Sequence, residues 1–324
     1  MSISRADAGR FRVTLENAES VVIGTHLNPD GDALGSALAL SLALDAIQVP
    51  NEVVCHHEPP RNLQFLPGID RLKRVADRAH PVGVILDLDS FERLGDSAAS
   101  FAECRRLIVV DHHVPHEAPG HLRVVDTRAA ATAVLLAQLL IEGDFPINAD
   151  VATCLLTGIV TDTGGFRFRN TNAEALDLGA HLVTLGAEIG RINEEIFQRK
   201  PAGAAKLLGR VLNRMHLELD DRLCWGTLLP EDFAAASATD EDTEGFVNEY
   251  LSIATVEIAA LLREQKPGKV RVSLRSRGTY DVAAVAREFG GGGHRNAAGC
   301  SFDLTGSEAA DLLVPRLRAC LESS

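Results

Sequence analysis

Two short apolar runs, VGVILD (82–87) and RLIVVD (106–111), each end on an aspartate. They belong to a wider alternation of strand-like and helix-like segments, and this alternation limits the fold more than any other feature of the chain. SVVIGT (20–25) reads as a buried strand, GDALGSALALSLALDA (31–46) as a helix and NEVVCH (51–56) as a strand. AAATAVLLAQLLIEG (129–143), NADVATCLLTGIV (148–160) and NAEALDLGAHLVTLGA (172–187) read as helices. Strands alternating with helices predict parallel βαβ units, giving an α/β, doubly wound, mainly parallel sheet covered by helices on both faces. Ligands in such sheets bind outside the carboxyl ends of the strands. Thr25 with the following His26, Asp87 and Asp111 all fall at such ends.

The 324 residues are too many for one domain of about 100–200 residues. A polar stretch, RINEEIFQRKPAGAAK (191–206), marks the connection. We expect a catalytic domain over 1–190, a linker over 191–208 and a smaller α/β C-terminal domain over 209–324. The last has strand-like runs at RMHLEL (214–219), CWGTLL (224–229) and KVRVSLRS (269–276), with helical patterns between and after them.

With 46% hydrophobic and 24% charged residues, the chain is neither disordered, nor collagen-like, nor a small secreted scaffold. The 5% aromatic content argues against a stacking platform for long single strands. The 32 basic residues against 45 acidic ones give a net charge of −13, which excludes coating of long nucleic acid. A short anionic substrate remains open if metal or a local basic patch supplies positive charge. From Glu231 to Leu262 there are eight acids and no Lys or Arg, and from Arg263 to Arg295 eight bases against three acids. That basic stretch is an anion-binding candidate, although a solvated face has the same composition. The six cysteines form no C-x-x-C pair, as expected of reduced thiols in a cytoplasmic protein. The N-terminus lacks the apolar run of a signal peptide, and stretches such as AVLLAQLLI (133–141) are about half a membrane span, so no membrane partner is expected.

Several segments carry chemistry. In THLNPDGDALGS (25–36), His26, Asp30 and Asp32 lie between a strand and a helix, at a spacing that lets three ligands converge. The same residues also read as a Pro-Asp-Gly turn with an aspartate cap. Asp87 ends its strand and either caps the next element or points into a site; Asp89 competes for that role. In Asp111-His112-His113, one imidazole can ligate metal while a carboxylate fixes its tautomer, and the other can bind a phosphoryl oxygen or handle a proton. His56-His57 lacks the preceding aspartate and reads as structural or substrate-lining at most. Asp162 follows an apolar helix, where a carboxylate is electrostatically unfavourable unless a cation partners it. His26, Asp30, Asp32, Asp87, His112 and Asp162 together offer two imidazoles and four carboxylates, a set suited to two divalent ions, manganese better than magnesium. In FGGGGHRNAAG (289–299), consecutive glycines (Gly291, Gly292 and Gly293 among them) leave backbone N–H groups able to approach an anion, with His294 and Arg295 beside them. Arg275 is the upstream partner expected for this motif, with Arg271 and Arg277 at the same strand parity.

In this order the motifs HLNPDGDALGS, the Asp87 strand end, DHH at 111–113, TDTG at 161–164 and GGGGHRNAAG at 290–299 resemble the DHH phosphoesterase family, in its RecJ-like form with a DHH-associated C-terminal domain. They span nearly the whole chain, and the closest subgroup looks like the stand-alone NrnA-type enzymes. The resemblance implies a manganese-dependent hydrolase acting on short oligoribonucleotides and on the 3′-phosphate of the nucleotide 3′,5′-bisphosphate pAp, by attack of hydroxide at a two-metal centre. It implies one manganese site at His26, Asp30 and Asp87. The second would be Asp32, Asp87, His112 and Asp162, with Asp87 shared. It implies catalytic roles for Asp87, for Asp111 behind the ligands, for His113 on the phosphate side and for His294. Arg275 and His294 resemble nucleotide and phosphate contacts, and the glycines with Arg295 complete that surface. A phosphodiesterase for c-di-AMP or pApA would share all the catalytic residues. An inorganic pyrophosphatase would lack the glycine-histidine motif, and a noncatalytic binding module would have lost ligands. A homodimer is compatible with the sequence.

Overall fold

The structure is a computed structural model that describes residues 3–88, 90–113 and 120–322. Asp89 and the side chain of His294 lie outside the described residues. The chain divides into two compact units, Met1–Arg199 and Lys200–Ser324.

The first unit contains α1 (Arg5–Glu16), β1 (Val21–Gly24), α2 (Gly31–Ala46), β2 (Asn51–Val54), β3 (Leu72–Lys73) and β4 (Val82–Leu86). It continues with β5 (Arg106–Asp111), β6 (Leu122–Val125), α3 (Thr132–Glu142), α4 (Ala149–Asp162), α5 (Ala173–Thr184) and α6 (Ile189–Asn193). Six parallel strands are ordered β3-β2-β1-β4-β5-β6. The order reverses between β1 and β4, and at such a point the connections leave in opposite directions and open a crevice at the strands' carboxyl ends.

Alternation decides which side chain faces which layer. Val21 and Ile23 join a large core with α1–α4, whereas Val22, Val54, Ile85 and Val109 face a smaller cluster with Leu94 and Phe101. That second face is covered by a 3-10 stretch (Phe91–Phe101), where helices were expected on both faces. Helix α2 is apolar nearly all round and buried almost throughout, as expected of a helix inside a layer rather than on a surface. Each of its fully buried leucines contributes about 2 kcal/mol relative to exposure.

At the other end of β2, Glu52 accepts from Lys73 Nζ, from the Asp77 N–H (3.2 Å) and from His80 Nε2 (2.8 Å). Burial works against its charge, but these partners outweigh burial and hold its carboxyl at about 2. A depressed carboxyl adds stability that is full above its unfolded pKa near 4.5 and lost as pH falls toward 2. We expect Glu52→Gln to cost on the order of 2–3 kcal/mol at pH 7. The difference from wild type should shrink steadily between pH 4.5 and 2 in urea titrations, and a gap constant over that window would refute the linkage.

The second unit contains α7 (Ala202–Asn213), β7 (His216–Glu218), β8 (Leu223–Leu228), α8 (Pro230–Ala236), α9 (Phe246–Leu251) and β9 (Ile258–Lys266). It ends with β10 (Lys269–Ser276), α10 (Val282–Glu288), β11 (Gly292–His294), β12 (Ala297–Phe302) and α11 (Gly306–Glu322). Its sheet is ordered β11-β12-β10-β9-β8-β7 and is antiparallel except for β8 beside β9. Ile258, Ala260, Leu262, Val270, Val272 and Leu274 pack under α10 and α11, and Ala259 and Leu261 pack on the side of α7–α9. Residues 191–208 are not an open linker. Apart from Arg199, Lys200 and Pro201 they are taken up by α6, a π-helical turn (Glu194–Gln198) and the first half of α7, whose Ala204, Leu207 and Val211 form a buried stripe at helical spacing.

Candidate metal centre

The loops that follow β1, β4 and β5 converge at the switch point of the first sheet. His26 lies two residues past the end of β1. Its Nδ1 donates to Leu27 O at 2.7 Å, which orients the ring and turns Nε2 toward the carboxylates. That nitrogen lies 3.3 Å from Asp87 Oδ2 and 3.9 Å from Asp30 Oδ1. Asp30 is also the N-cap of α2, with Oδ1 accepting from the N–H groups of Asp32 and Ala33, so the capping and converging-ligand readings of this loop hold together.

Asp87, just past β4, adopts a left-handed backbone with φ +57°, an uncommon state for a non-glycine residue that the surrounding structure has to impose. Its Oδ1 accepts from Thr132 Oγ1 at 2.9 Å and lies 3.6 Å from His112 Nε2 and 3.5 Å from His113 Nδ1. His112 Nε2 is in turn 3.2 Å from Asp162 Oδ2 and 4.0 Å from Asp32 Oδ2, while its Nδ1 contacts Ala129 O at 3.3 Å. The carboxylate of the DHH tripeptide serves the second imidazole, not the first: Asp111 Oδ1 takes the Nδ1 proton of His113 at 2.8 Å.

Two helices bring in the remaining acids. Asp32 lies in the first turn of α2 and Asp162 ends α4. These helices touch through small residues. A Cβ on Gly35 would stand 2.4 Å from Cys154 O, and one on Gly158 would stand 2.8 Å from Asp32 Oδ1. Asp32 is fully buried, and its two oxygens accept from the N–H groups of Thr132 (2.6 Å) and Ala133 (2.8 Å) at the start of α3. Helix starts offer unpaired N–H groups and favour negative charge, so the carboxylate both caps α3 and faces the cluster.

Three overlapping groups of donor atoms result: His26, Asp30 and Asp87; Asp32, His112 and Asp162; and Asp87, His112 and His113. Within each group the ligating atoms lie within 4.8 Å of one another. Electrostatics fit cation binding. Burial, then the charges of Asp87 and Asp30, push the Asp32 carboxyl well above its usual range. Burial, then Asp32, Asp30 and Asp87, do the same for Asp162. For His26 burial opposes the charge, yet the Asp87 hydrogen bond and the Asp30 and Asp87 charges raise it to about 9. Burial would also raise Asp87, but His26 and the charges of His112 and His113 hold it well below the usual range. Converging carboxylates that repel one another and retain protons are what a pocket with a surplus of negative charge should display. The mixed oxygen and imidazole donors suit divalent ions of borderline hardness.

The structure therefore gathers all six sequence-proposed ligands and places His113 with them. It adds Thr132, the Ala129 carbonyl and the Cys55 thiol, which donates to His26 O at 3.4 Å. A signal for Thr132 was present, since a polar residue after three alanines opens an otherwise apolar helix. His57 Nδ1 accepts from the Asn28 N–H and braces the loop after His26, while His56 Nδ1 accepts from the Asp96 N–H in the 3-10 stretch, both at 3.0 Å.

In the second unit, Arg271 and Arg275 share one face of β10, with Arg263 of β9 opposite Arg271. Burial, then Arg263, pushes Arg275 below its usual value; its Nη1 donates to Leu274 O. Arg277 does not join them. It lies past the end of β10 and donates to the carbonyls of Leu251 and Ala254. The glycine run also differs from expectation. The N–H groups of Gly290 and Gly291 donate to Arg287 O and Ala286 O, closing α10. Gly292 and Gly293 run into β11, where a Cβ on Gly293 would stand 2.5 Å from Ala297 O. Two of the four N–H groups thus close α10 and the other two belong to a strand paired with β12, so the glycines serve close strand approach. Arg295 Nε and Nη2 both donate to Thr279 O, at 3.0 and 2.6 Å.

Residues 20–159 match the DHH family N-terminal domain and residues 231–323 the DHHA1 domain. The bifunctional oligoribonuclease and PAP phosphatase NrnA of Thermus thermophilus is 36% identical over 285 residues, covering 87% of this chain and 84% of its own. The protein of the same name from Bacillus subtilis is 25% identical over 314 residues, covering 95% and 97%. The crystal structure of an exopolyphosphatase-related protein from Bacteroides fragilis superposes with a TM-score of 0.90 at 30% identity, covering 99% of this chain and 97% of that one. With both domain models in tandem and similarity along nearly all of both chains, the protein belongs to the DHH family of phosphoesterases, hydrolases that here carry a DHHA1 domain behind the DHH domain.

Proposed function

We propose that the protein hydrolyses short oligoribonucleotides and the 3′-phosphate of pAp, with two manganese ions held in the first unit. One observation carries the reading. Seven donors from four separate stretches of sequence, Asp87 among them, meet in three overlapping groups. The similarity to relatives named oligoribonuclease and PAP phosphatase supports the substrate class. His26, Asp30 and Asp87 would hold one ion. Asp32, Asp87, His112 and Asp162 would hold the other.

Bound divalent ions supply Lewis acidity toward phosphoryl oxygens and make water acidic enough to ionise near neutral pH. The chain's own residues do the rest. His26 and His112 present Nε2, because Nδ1 of each is turned to a carbonyl. Asp87 stays ionised and shares its two oxygens between the imidazoles on either side. Asp111 holds the Nδ1 proton of His113, so the Nε2 of His113 is the atom that would accept or return a proton. In the DHHA1 domain, Arg275, the glycines at 291–293, His294 and Arg295 are proposed to contact the nucleotide and its phosphates. Six free cysteines support a reducing, cytoplasmic setting, and no described helix is long and apolar enough to cross a membrane.

The test is a substrate panel on chelator-stripped protein given back manganese or magnesium. We expect pAp and pApA to turn over at least tenfold faster than c-di-AMP, pyrophosphate or long RNA, and manganese to restore more activity than magnesium. Faster turnover of pyrophosphate or c-di-AMP would replace this reading. Arg275→Ala should raise KM on oligonucleotides more than on a generic phosphodiester, and equal loss on both would remove Arg275 from recognition.

A further inference from the structure

The arginine face of the DHHA1 domain contains its own anion. Asp240 lies at the start of a 3-10 turn (Asp240–Thr243), in the acidic segment before β9. Its Oδ2 is 2.8 Å from Arg271 Nη1, and its Oδ1 is 3.2 Å from Arg263 Nη1. Arg263 is also tied to Thr243 Oγ1 (2.9 Å) and Ser273 Oγ (3.0 Å). The two pairs differ in setting. Asp240 and Arg263 are each 15% exposed, whereas Arg271 is 61% exposed at the rim. Among the described residues Arg275 has no carboxylate within ion-pair distance: Glu244 acts on it only through its charge, and its Nη1 donates to a backbone carbonyl. The clasp is also incomplete. Asp240 Oδ1 and Arg263 Nε are buried without a hydrogen bond, and buried polar atoms left so are rare enough to require an explanation.

We propose that Asp240 is a specificity-determining residue that limits substrate length: its carboxylate occupies the rim arginine that a further backbone phosphate would otherwise take. This rests on the reading above, that the face bearing Arg275 binds substrate phosphate. Arg271 and Arg275 are four residues apart on one strand, about 13 Å along it, so they serve different phosphates. A substrate with one phosphate at Arg275 meets a cation that no carboxylate contacts directly, Glu244 acting on it only from beyond ion-pair distance. A phosphate one or two nucleotides further on meets Arg271 already neutralised and is repelled by Asp240 itself. Because an exposed ion pair is weak, this gate grades affinity rather than blocking it. The two unsatisfied atoms fit a network that reorganises when a phosphate competes for it.

The test uses the full chain without metal, so that binding is read without turnover, and two probes, pAp and the 5′-phosphorylated trinucleotide pApApA. Asp240→Asn should tighten pApApA by about 3–5-fold, the size expected when one rim charge stops competing, and change pAp by less than about twofold. Adding Arg271→Met to Asp240→Asn should cancel that gain. Arg271→Met alone should leave the pApApA-to-pAp ratio near wild type, because that cation is already engaged; this variant keeps the buried Asp240–Arg263 pair and serves if Asp240→Asn folds poorly. An unchanged ratio in a folded Asp240→Asn protein, or a fivefold drop in the ratio in Arg271→Met, overturns the gate. If instead Arg275→Ala leaves both affinities unaltered, it is the phosphate-binding role of the face that fails.

Discussion

Asp87→Asn leaves a folded protein whose phosphoester hydrolysis falls by roughly 10³-fold or more, a loss exceeding that of a single oxyanion donor. Asparagine keeps an oxygen for the Thr132 hydroxyl, so the packing survives. What disappears is the charge, and Asp87 is the acid that the three imidazoles keep ionised while burial protonates its neighbours. Manganese should also stop raising the melting temperature. A resident ion at a hundred times its Kd contributes about 2.7 kcal/mol to wild type, so the contrast is large. Turnover on pAp with calorimetric titration of manganese decides the matter. A variant within tenfold of wild type, still binding two ions, would mean that Asp87 is not shared between them.

Asp32→Ala should damage the fold as well as the activity, and Asp162→Asn the activity alone. Both residues belong to the same donor group, yet they stand in different surroundings. Asp32 satisfies two buried N–H groups at the start of α3. Truncating it leaves both donors without partners, at a cost of about 2–4 kcal/mol. The Asp162 carboxyl is disfavoured by burial and by three other acids, and a neutral amide relieves that repulsion. In chelator, Asp162→Asn should melt at or above the wild-type temperature and Asp32→Ala well below it, while both lose manganese-dependent hydrolysis. Equal destabilisation of the two would contradict the capping role of Asp32.

Where side-chain pattern and environment agree, the sequence was easy to read. α2 has an aspartate cap and a long stretch rich in alanine and leucine, and β10 alternates strictly, so the boundaries of both elements were legible. β9 was missed for the opposite reason. It is buried on both faces and rich in alanine and leucine, so IAALLREQK shows no period of two. The acids and imidazoles of the first unit stood out because strand ends and helix starts seldom carry them without cause. The positions of Thr132, the Ala129 carbonyl and Asp240 depend on which distant segments meet, and one sequence does not report that. Arg277 shows the limit of parity arguments: it matches Arg271 and Arg275 in spacing, but the strand ends one residue before it. In the glycine run, composition suggested a cradle of N–H groups, and hydrogen bonding assigned two of them to closing α10.

The contact between Gly35 and the Cys154 carbonyl sets a ruler inside the first unit. Main chain rests against main chain there, so the separation of α2 from α4, and with it that of Asp32 from Asp162, is independent of the bulk of neighbouring core side chains. Repacking that core would cost thermal endurance well before it altered which cations the pocket prefers.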